Sequence, residues 1–519
     1  QRLGRVLGRH AGVVTTAAPG PRTSQYALAA VPVFLVALVL YLATLLPDVG
    51  IWDTAEFQAL GSVLGTAHPT GYPSYTLLLW LASVMLQPLG NEAYRADLLS
   101  ALLMAGAGAV LAMRTVMATR RWPLGLLAGL VFALTPVAWR WGLRADPHAL
   151  HVFLAALLLV LLGRWQQREA GALGAGGPWL LSAAAVFGVS LGNHALTMLL
   201  APGIAAFVLL VSPRILRQQT RLVVFGVVVL ALAAVAVYLY LPLRAAMDPP
   251  LMYANPGTWD GFWYVVLGEQ FQGSFGPLPP AGLLLESIWR ELVRGFGALA
   301  ILALAGLLLG LFRHPRLTTL GLLWFACTWL FAIGYANAAI ERYYLVPLLV
   351  AALAIALAAD AIWDVLRDLL ERDGHTQTFR LGVSALVLGL LALTVWPIAD
   401  RYTRLDLSGD TRGRLIIDDT FEALEPEAVV VSWWSYSTPL WYGQHVEGRR
   451  PDVTVIDDRD VLDDGYGDTV GAIEAHLGER PVYVIRHERE LPSLMQDYLL
   501  VPVADVPMEM YRVLSEGTD

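Results

Sequence analysis

Hydrophobic and polar positions divide the chain into two unequal parts. Up to about residue 400, apolar runs of membrane-crossing length recur between short polar connections, near 26–46, 96–116, 123–141, 148–163, 178–192, 195–211, 222–241, 296–312, 317–335, 344–362 and 381–399. A helix needs about 20 apolar residues to cross hydrocarbon, so these stretches predict eleven spans. The stretch from Tyr75 to Leu89 is shorter, begins after Pro73 and ends at Pro88, and is predicted to be re-entrant or interfacial. From Arg401 the pattern changes to that of a soluble unit. Val429 to Ser432, Val453 to Ile456 and Val482 to Ile485 are short β-branched runs, and Val470 to Leu477 reads as a helix between them, which predicts a small mixed or parallel sheet.

The fold class is therefore a polytopic α-helical membrane protein of about eleven transmembrane helices with a small C-terminal extracytoplasmic α/β domain. The predicted divisions are an N-terminal cytoplasmic segment at 1–25, a transmembrane domain at 26–400 with outer loops at 47–92 and 242–294, and the soluble domain at 401–519. Orientation follows from arginine. With Tyr75–Leu89 not a span, Arg2, Arg5, Arg9, Arg22, Arg114, Arg120, Arg121, Arg164, Arg168, Arg214, Arg217, Arg221, Arg313, Arg316, Arg367, Arg372 and Arg380 all fall on one side. That is the bias of cytoplasmic loops, and it places the tail after Ala399 outside. Residues 1–25 lack the compact signal-peptide pattern, so the first span is expected to stay as an anchor. The predicted location is the plasma (inner) membrane, crossed many times.

Composition sharpens this reading. Of 519 residues, 56% are hydrophobic and only 15% charged, with a mean hydropathy of +0.57, against roughly 25% charged residues in ordinary soluble proteins. The formal net charge of −8 argues against a nucleic-acid partner. One cysteine, Cys327, permits neither a disulfide framework nor a thiolate metal cluster. There is no lysine, so every fixed positive side chain is an arginine.

The predicted outer face collects the chemistry-bearing residues. Its first loop holds Asp53 and Glu56, three apart and so on one face of a helical turn, followed by His68. A carboxylate there is the equipment of a general base. His68 would orient that carboxylate, donate to a phosphate, or complete a metal site with Asp53 and Glu56; the bland alternative is a capping box in which Asp53 only caps the helix. The second outer turn reads Arg144-Ala145-Asp146-Pro147-His148, with His151 one turn further. Either Arg144 pairs with Asp146, or the turn binds a donor phosphate or positions the acceptor. Asn193 and His194, at the outer end of a span, are expected to line a cavity. Arg244 and Arg342 lie at outer span ends beside tyrosines, where a guanidinium forks onto a phosphate or snorkels to headgroups. In the tail, Trp433, Trp434, Tyr436, Trp441 and Tyr442 either stack on sugars or a peptide, or pack against the membrane domain or lipid interface. No Gly-rich nucleotide loop and no zinc-protease helix stands out.

Four separated blocks resemble a known family. Asp53-Thr54-Ala55-Glu56 through Ala67-His68-Pro69-Thr70-Gly71-Tyr72-Pro73, then Leu191-Gly192-Asn193-His194, Tyr238 to Arg244 with Trp259-Asp260-Gly261-Phe262, and Glu341-Arg342-Tyr343-Tyr344 look like the motifs, in order, of a multi-spanning family long labelled a domain of unknown function. Its vertebrate member is a protein O-mannosyltransferase. The chain departs from the usual pattern in having Trp52 before Asp53, Thr54 for Ser, Thr70 for a second Pro, and Asp146 where Glu is usual. The resemblance implies a GT-C-like fold and membrane glycosyltransferases that take a sugar from a polyprenyl-phosphate carrier at the outer face, with an acidic residue of the first outer loop as base and inversion at the anomeric carbon.

The expected function is transfer of a monosaccharide, mannose or a similar hexose, from that carrier to a hydroxyl of protein Ser/Thr, with a glycolipid or polysaccharide as other acceptors. Asp53 and Glu56 are the candidate catalytic residues. His68, Tyr72, Arg144, Asp146, His148, Asn193, His194, Arg244, Arg342 and Tyr343 are the candidate substrate-binding residues. No cofactor is required by this scheme; a divalent metal on Asp53, Glu56 and His68 is the variant it does not favour. The expected partners are membrane lipid, the lipid-linked sugar and the acceptor. The rival reading from another class is a lipid-linked sugar transporter or flippase, against which the polar residues gather at one face and not at the bilayer midplane.

Overall fold

The structure, a computed structural model, describes residues 21–371, 375–463, 465–486 and 489–515. Residues 1–20 of the predicted N-terminal segment, with Arg2, Arg5 and Arg9, and also Arg372, lie outside the described residues.

Eight described helical segments are long and apolar enough to cross a membrane: Thr23–Thr44, Glu92–Thr119, Pro147–Glu169, Thr220–Ala245, Ala281–Arg313, Pro315–Ile333, Ile340–Leu370 and Thr376–Leu405. Each overlaps one predicted span. The other three predicted spans fall on shorter apolar helices, Trp122–Ala133, Gly177–Leu191 and Ala195–Val211. The stretch predicted to be re-entrant or interfacial forms Pro73–Met85, a helix of 13 residues, only about 20 Å long at 1.5 Å per residue.

An all-round apolar helix settles at the centre of a bundle or against lipid. Ile340–Leu370 takes the first course, with 94% of its apolar window buried, and Thr220–Ala245 the second, with 0%. Since lipid supplies no hydrophobic drive between helices, close backbone approach does the packing. Gly306 meets the backbone of Ala354 at a distance that leaves no room for a Cβ. At the bundle end remote from the tail, Arg121, Arg313 and Arg367 converge on Asp360 and Asp364.

The tail forms a five-stranded sheet of β1 (Val429–Val431), β2 (Thr454–Ile456), β3 (Val482–Ile485), β4 (Tyr498–Pro502) and β5 (Met510–Ser515). Its order is β2-β1-β3-β5-β4. β1 runs parallel to β2 and β3, while β5 is antiparallel to β3 and β4. The sheet is thus mixed, built on the three expected strands plus two more. The aromatic stretch forms the helix Trp434–His445, which packs on the helix Asp53–Val63 of the first loop. Of those aromatics, Trp433 and Tyr442 pack against the first-loop region, while Trp434 and Trp441 also line cavities. Tyr442 accepts from Ala93 N at 3.2 Å, and the Trp52 and Trp433 rings meet edge-on at 5.3 Å. Gly413 lies so close to the carbonyls of Val49 and Gly50 that any side chain there would clash. Arg414 then forks onto Asp48 at 2.9 and 2.9 Å.

Candidate active site

The first-loop helix Asp53–Val63 begins directly after Trp52, whose φ of 60° and ψ of −148° are costly for a side chain as large as indole. The tail holds it there: Thr438 Oγ1 donates to the Trp52 carbonyl at 2.9 Å, beside the Trp433 ring contact. Asp53 is the first residue of the helix and not its cap, and no side chain caps that end. The capping-box alternative is therefore replaced, because both carboxylates are spent on tertiary partners. Asp53 Oδ2 accepts from Arg342 Nη1 and Nη2 at 3.1 and 3.1 Å. Its Oδ1 accepts from Trp434 Nε1 at 3.0 Å. Burial pushes the Asp53 carboxyl up, but the His68 and Arg342 charges and the Trp434 hydrogen bond outweigh it and hold Asp53 below the usual carboxylate range.

Arg342 is shared. Its Nη1 also donates to Asp146 Oδ2 at 2.9 Å, while its Nε is buried with no partner among the described residues. Asp146 caps Pro147–Glu169, with Oδ1 accepting from His148 N at 2.8 Å and lying 2.9 Å from His148 Nδ1. Burial raises its carboxyl, yet His148 and Arg342 bring it down to about 2. The turn is fixed from behind: Asp146 N donates to Tyr75 Oη at 2.9 Å, and Ala145 N to Asp97 at 2.6 Å. Arg144 does not pair with Asp146. Its guanidinium lies over Trp141, 5.4 Å from the ring centre, and its Nε is buried without a partner among the described residues.

Glu56 serves a different partner from Asp53. It accepts from His68 N at 2.9 Å and lies 2.5 Å from His68 Nδ1. Burial lowers the His68 imidazole, but the Glu56 and Asp53 charges overcome this and raise it above its ordinary value. Tyr72 Oη lies 3.4 Å from His68 Nε2 and donates to Pro69 O at 3.2 Å.

These groups wall a cavity of about 910 Å³ between the helical body and the tail. Of the residues nominated from the sequence, Asp53, His68, Tyr72, Arg144, Asp146, His194, Arg342 and Tyr343 line it. Glu56 and His148 stand one bond behind it, on His68 and Asp146. Asn193 donates to Pro147 O at 3.0 Å, tying two span ends together. Arg244 is elsewhere: its Nε and Nη2 donate to the carbonyls of Leu64 and Val63, at 2.7 and 3.2 Å, and close the C-terminal end of the Asp53–Val63 helix. A guanidinium so placed satisfies backbone acceptors that a helix end leaves open, so its nomination as a phosphate ligand does not carry through.

Sequence reasoning also missed residues that line this cavity: Tyr253, Tyr264 and Gln270 from the 242–294 loop, and Asp457, Asp458 and Arg459 from the tail, beside Trp434, which the aromatic stretch had pointed to as one that either stacks on sugars or a peptide or packs against the membrane domain. Arg459 spans the Tyr253 and Tyr264 rings at 5.3 and 4.8 Å. The signal for them was present, since Trp434 and Asp457 follow the carboxyl ends of β1 and β2, and ligands of parallel sheets gather at strand carboxyl ends. As for a metal, Asp53 is engaged by Arg342 and Trp434 while Glu56 and His68 hold each other. Among the described residues, no three His, Cys, Asp or Glu side chains are placed to hold an ion together.

Comparison with known proteins gives the following. Residues 53–217 match the family model of the Protein O-mannosyl-transferase TMEM260 N-terminal domain, a segment that includes the first two of the four motif blocks. The chain is 32% identical over 165 residues to Protein O-mannosyl-transferase TMEM260 of Mus musculus, covering 32% of this chain and 23% of that protein. It is 24% identical over 136 residues to Protein O-mannosyl-transferase tmem260 of Dictyostelium discoideum, covering 26% and 16%. The match thus spans less than a quarter of either relative. Among solved structures, ArnT from Cupriavidus metallidurans bound to undecaprenyl phosphate superimposes with a TM-score of 0.62 at 14% identity, over 94% of this chain and 98% of ArnT. Its apo state gives 0.58 at 15%, over 93% and 97%. The fold is that of ArnT, and the chain is a multi-pass membrane protein with eight described helical segments long and apolar enough to cross a bilayer.

Proposed function

We propose that this chain is a glycosyltransferase that moves a hexose, mannose or a close relative, from a polyprenyl-phosphate carrier to a hydroxyl of protein Ser/Thr, with inversion, at the outer face of the plasma membrane. One observation carries the reading. An ionised carboxylate, Asp53, is pinned by Arg342 on one oxygen and by Trp434 on the other, at the wall of a cavity that touches both lipid-embedded helices and the tail. The names of the relatives and the undecaprenyl phosphate held by ArnT support the same chemistry.

In this scheme the acceptor hydroxyl approaches Asp53 and attacks the anomeric carbon from the side opposite the phosphate. The new bond joins acceptor oxygen to that carbon, the bond from the carbon to phosphate oxygen breaks, and the hydroxyl proton goes to Asp53. The leaving group departs as polyprenyl phosphate, its charge met by Arg144, whose partnerless Nε and cavity position suit it to a phosphate oxygen. Arg342 orients Asp53 and keeps it ionised, and Asp146 holds Arg342. Glu56 holds His68 beside the same carboxylate. The domain division at about residue 400 belongs to this proposal, with the tail as the extracytoplasmic part that completes the site.

The test is transfer of radiolabelled sugar from synthetic polyprenyl-phosphate-mannose and polyprenyl-phosphate-glucose by the purified protein in lipid nanodiscs, with water and a membrane-protein extract as acceptors. Label must leave the carrier with the parent protein and stay on it with Asp53→Asn. Equal turnover by the folded Asp53→Asn protein overturns the assignment of the base.

A further inference from the structure

A second cavity, of about 540 Å³, lies on the other side of Trp434. The two cavities share Tyr253, Trp434, Asp457 and Arg459 in their walls. What separates them is side chain: the Trp434 indole stands 5.6 Å from the His68 ring and 6.0 Å from Tyr253. Glu56, one helical turn from Asp53, lines the second cavity, together with Trp441, Tyr466, the loop from Pro249 to Met252 and strand β2.

We propose that this second cavity is the acceptor site, and that its occupant is an extended polypeptide segment presenting a Ser or Thr hydroxyl between neutral or basic neighbours. The inference rests on the glycosyltransferase reading and adds where the acceptor binds and what it carries.

Three observations point the same way. The first is position. An inverting displacement puts the acceptor oxygen on the face of the anomeric carbon opposite the phosphate, with the base on the acceptor's side, and the two cavities meet at Trp434, whose Nε1 donates to Asp53.

The second is the route in. The first cavity is lined partly by residues of apolar helices, among them Leu196, Phe331 and Arg342, whereas no residue lining the second belongs to any of the apolar helices. A lipid-anchored acceptor would need such a flank; a chain arriving from water does not.

The third is charge. The second cavity is lined by the carboxylates of Asp457 and Asp460, and by Glu56, which is paired with His68, beside the guanidinium of Arg459, itself over two tyrosine rings. Burial and the neighbouring Asp460 raise the Asp457 carboxyl, so a cation nearby would relieve that site, while an acidic segment would be repelled. Trp434 and Trp441, their rings 5.9 Å apart and edge to face, both line the second cavity and give it aromatic surface of the kind that lines peptide-binding grooves.

The experiment uses the full chain in nanodiscs with labelled polyprenyl-phosphate-mannose and three acceptor probes: one Thr peptide flanked by lysines, the same peptide flanked by glutamates, and a neutral oligosaccharide. Met252→Trp fills the second cavity from its loop side, and Trp441→Ala removes a ring from its tail side; thermal melting reports whether each folds. The expected result is a kcat/KM at least about tenfold higher for the lysine-flanked peptide than for the glutamate-flanked one. A rise of about tenfold in peptide KM is expected in at least one folded variant, with the donor KM following the parent. Equal use of both peptides, a preference for the oligosaccharide, or insensitivity of both folded variants overturns the proposal. Donor hydrolysis by the parent without transfer to any peptide overturns the acceptor assignment alone. Neither hydrolysis nor transfer overturns the glycosyltransferase reading with it.

Discussion

The helical body buries two ionic clusters, one at each end, and they are built to opposite accounts. At the tail end, two carboxylates, Asp53 and Asp146, share one guanidinium, Arg342. At the remote end, Asp360 and Asp364 share three, from Arg121, Arg313 and Arg367. The first cluster has surplus negative charge and borders a 910 Å³ cavity. The second has surplus positive charge, and neither of its carboxylates lines either of the two cavities. Buried charge in a membrane protein therefore does not by itself mark a site. What marks it is acceptor capacity left over, next to space for a ligand. Breaking a buried pair costs about 3–5 kcal/mol wherever it lies, so stability alone would not tell the two clusters apart, whereas turnover would.

The largest separation is expected from Asp53→Asn. If Asp53 is the base as proposed, its loss should lower kcat by about 10²–10⁴-fold, read as sugar transfer per folded molecule. Trp434→Phe comes next. It removes one hydrogen bond to a charged carboxylate, a contribution of about 1.5–3 kcal/mol, so kcat should fall by about 10–100-fold at neutral pH. The same variant moves the pH profile. As the proposed base Asp53 would work ionised, and its folded pKa lies below the ordinary value, so activity in the parent should be lost only as pH falls below the usual carboxylate range, about 3.9. Without the Trp434 hydrogen bond the carboxyl rises, and the acid limb of kcat/KM should shift upward; an unmoved limb would separate Trp434 from the base.

Asp360→Asn sharpens the comparison from the other side. It should lower the melting temperature in detergent while kcat of the folded fraction stays at the parent level. A drop in kcat as large as that of Trp434→Phe would erase the distinction between the two ends. Arg414→Ala should have the smallest effect. Its bridges to Asp48 and Glu447 are partly exposed, and such pairs contribute about 0–1 kcal/mol, so only a slight loosening of the tail is expected, visible as faster amide exchange around Asp48.

Legibility of the site follows the range of the interactions. The Asp53–Glu56 spacing was readable because both residues lie on one turn, but the roles assigned to that spacing were not. Asp53 meets Arg342 across 289 positions and Trp434 across 381, and Glu56 turns instead to His68. Arg244 shows the converse. Beside tyrosines at a span end it reads like a phosphate ligand, yet the nearest open acceptors are the last carbonyls of the Asp53–Val63 helix, and a guanidinium takes those first. Arg144, one of several nominees for the phosphate, is distinguished only by the partner it lacks.

The sequence by itself determined the solvent of each part. Long runs of apolar residues are too costly to leave in water, and the β-branched runs after Arg401 favour strands in a small sheet, because both preferences act within a few neighbouring residues. Tertiary structure alone decided which carboxylate faces the cavity, that the tail supplies Trp434 and the Asp457–Arg459 segment to its wall, and that Trp52 is held in a costly backbone by Thr438 and Trp433. Those outcomes depend on desolvated hydrogen bonds and charges between segments hundreds of residues apart. Their strength comes from the enclosure that folding creates, so no local pattern in the chain can carry them.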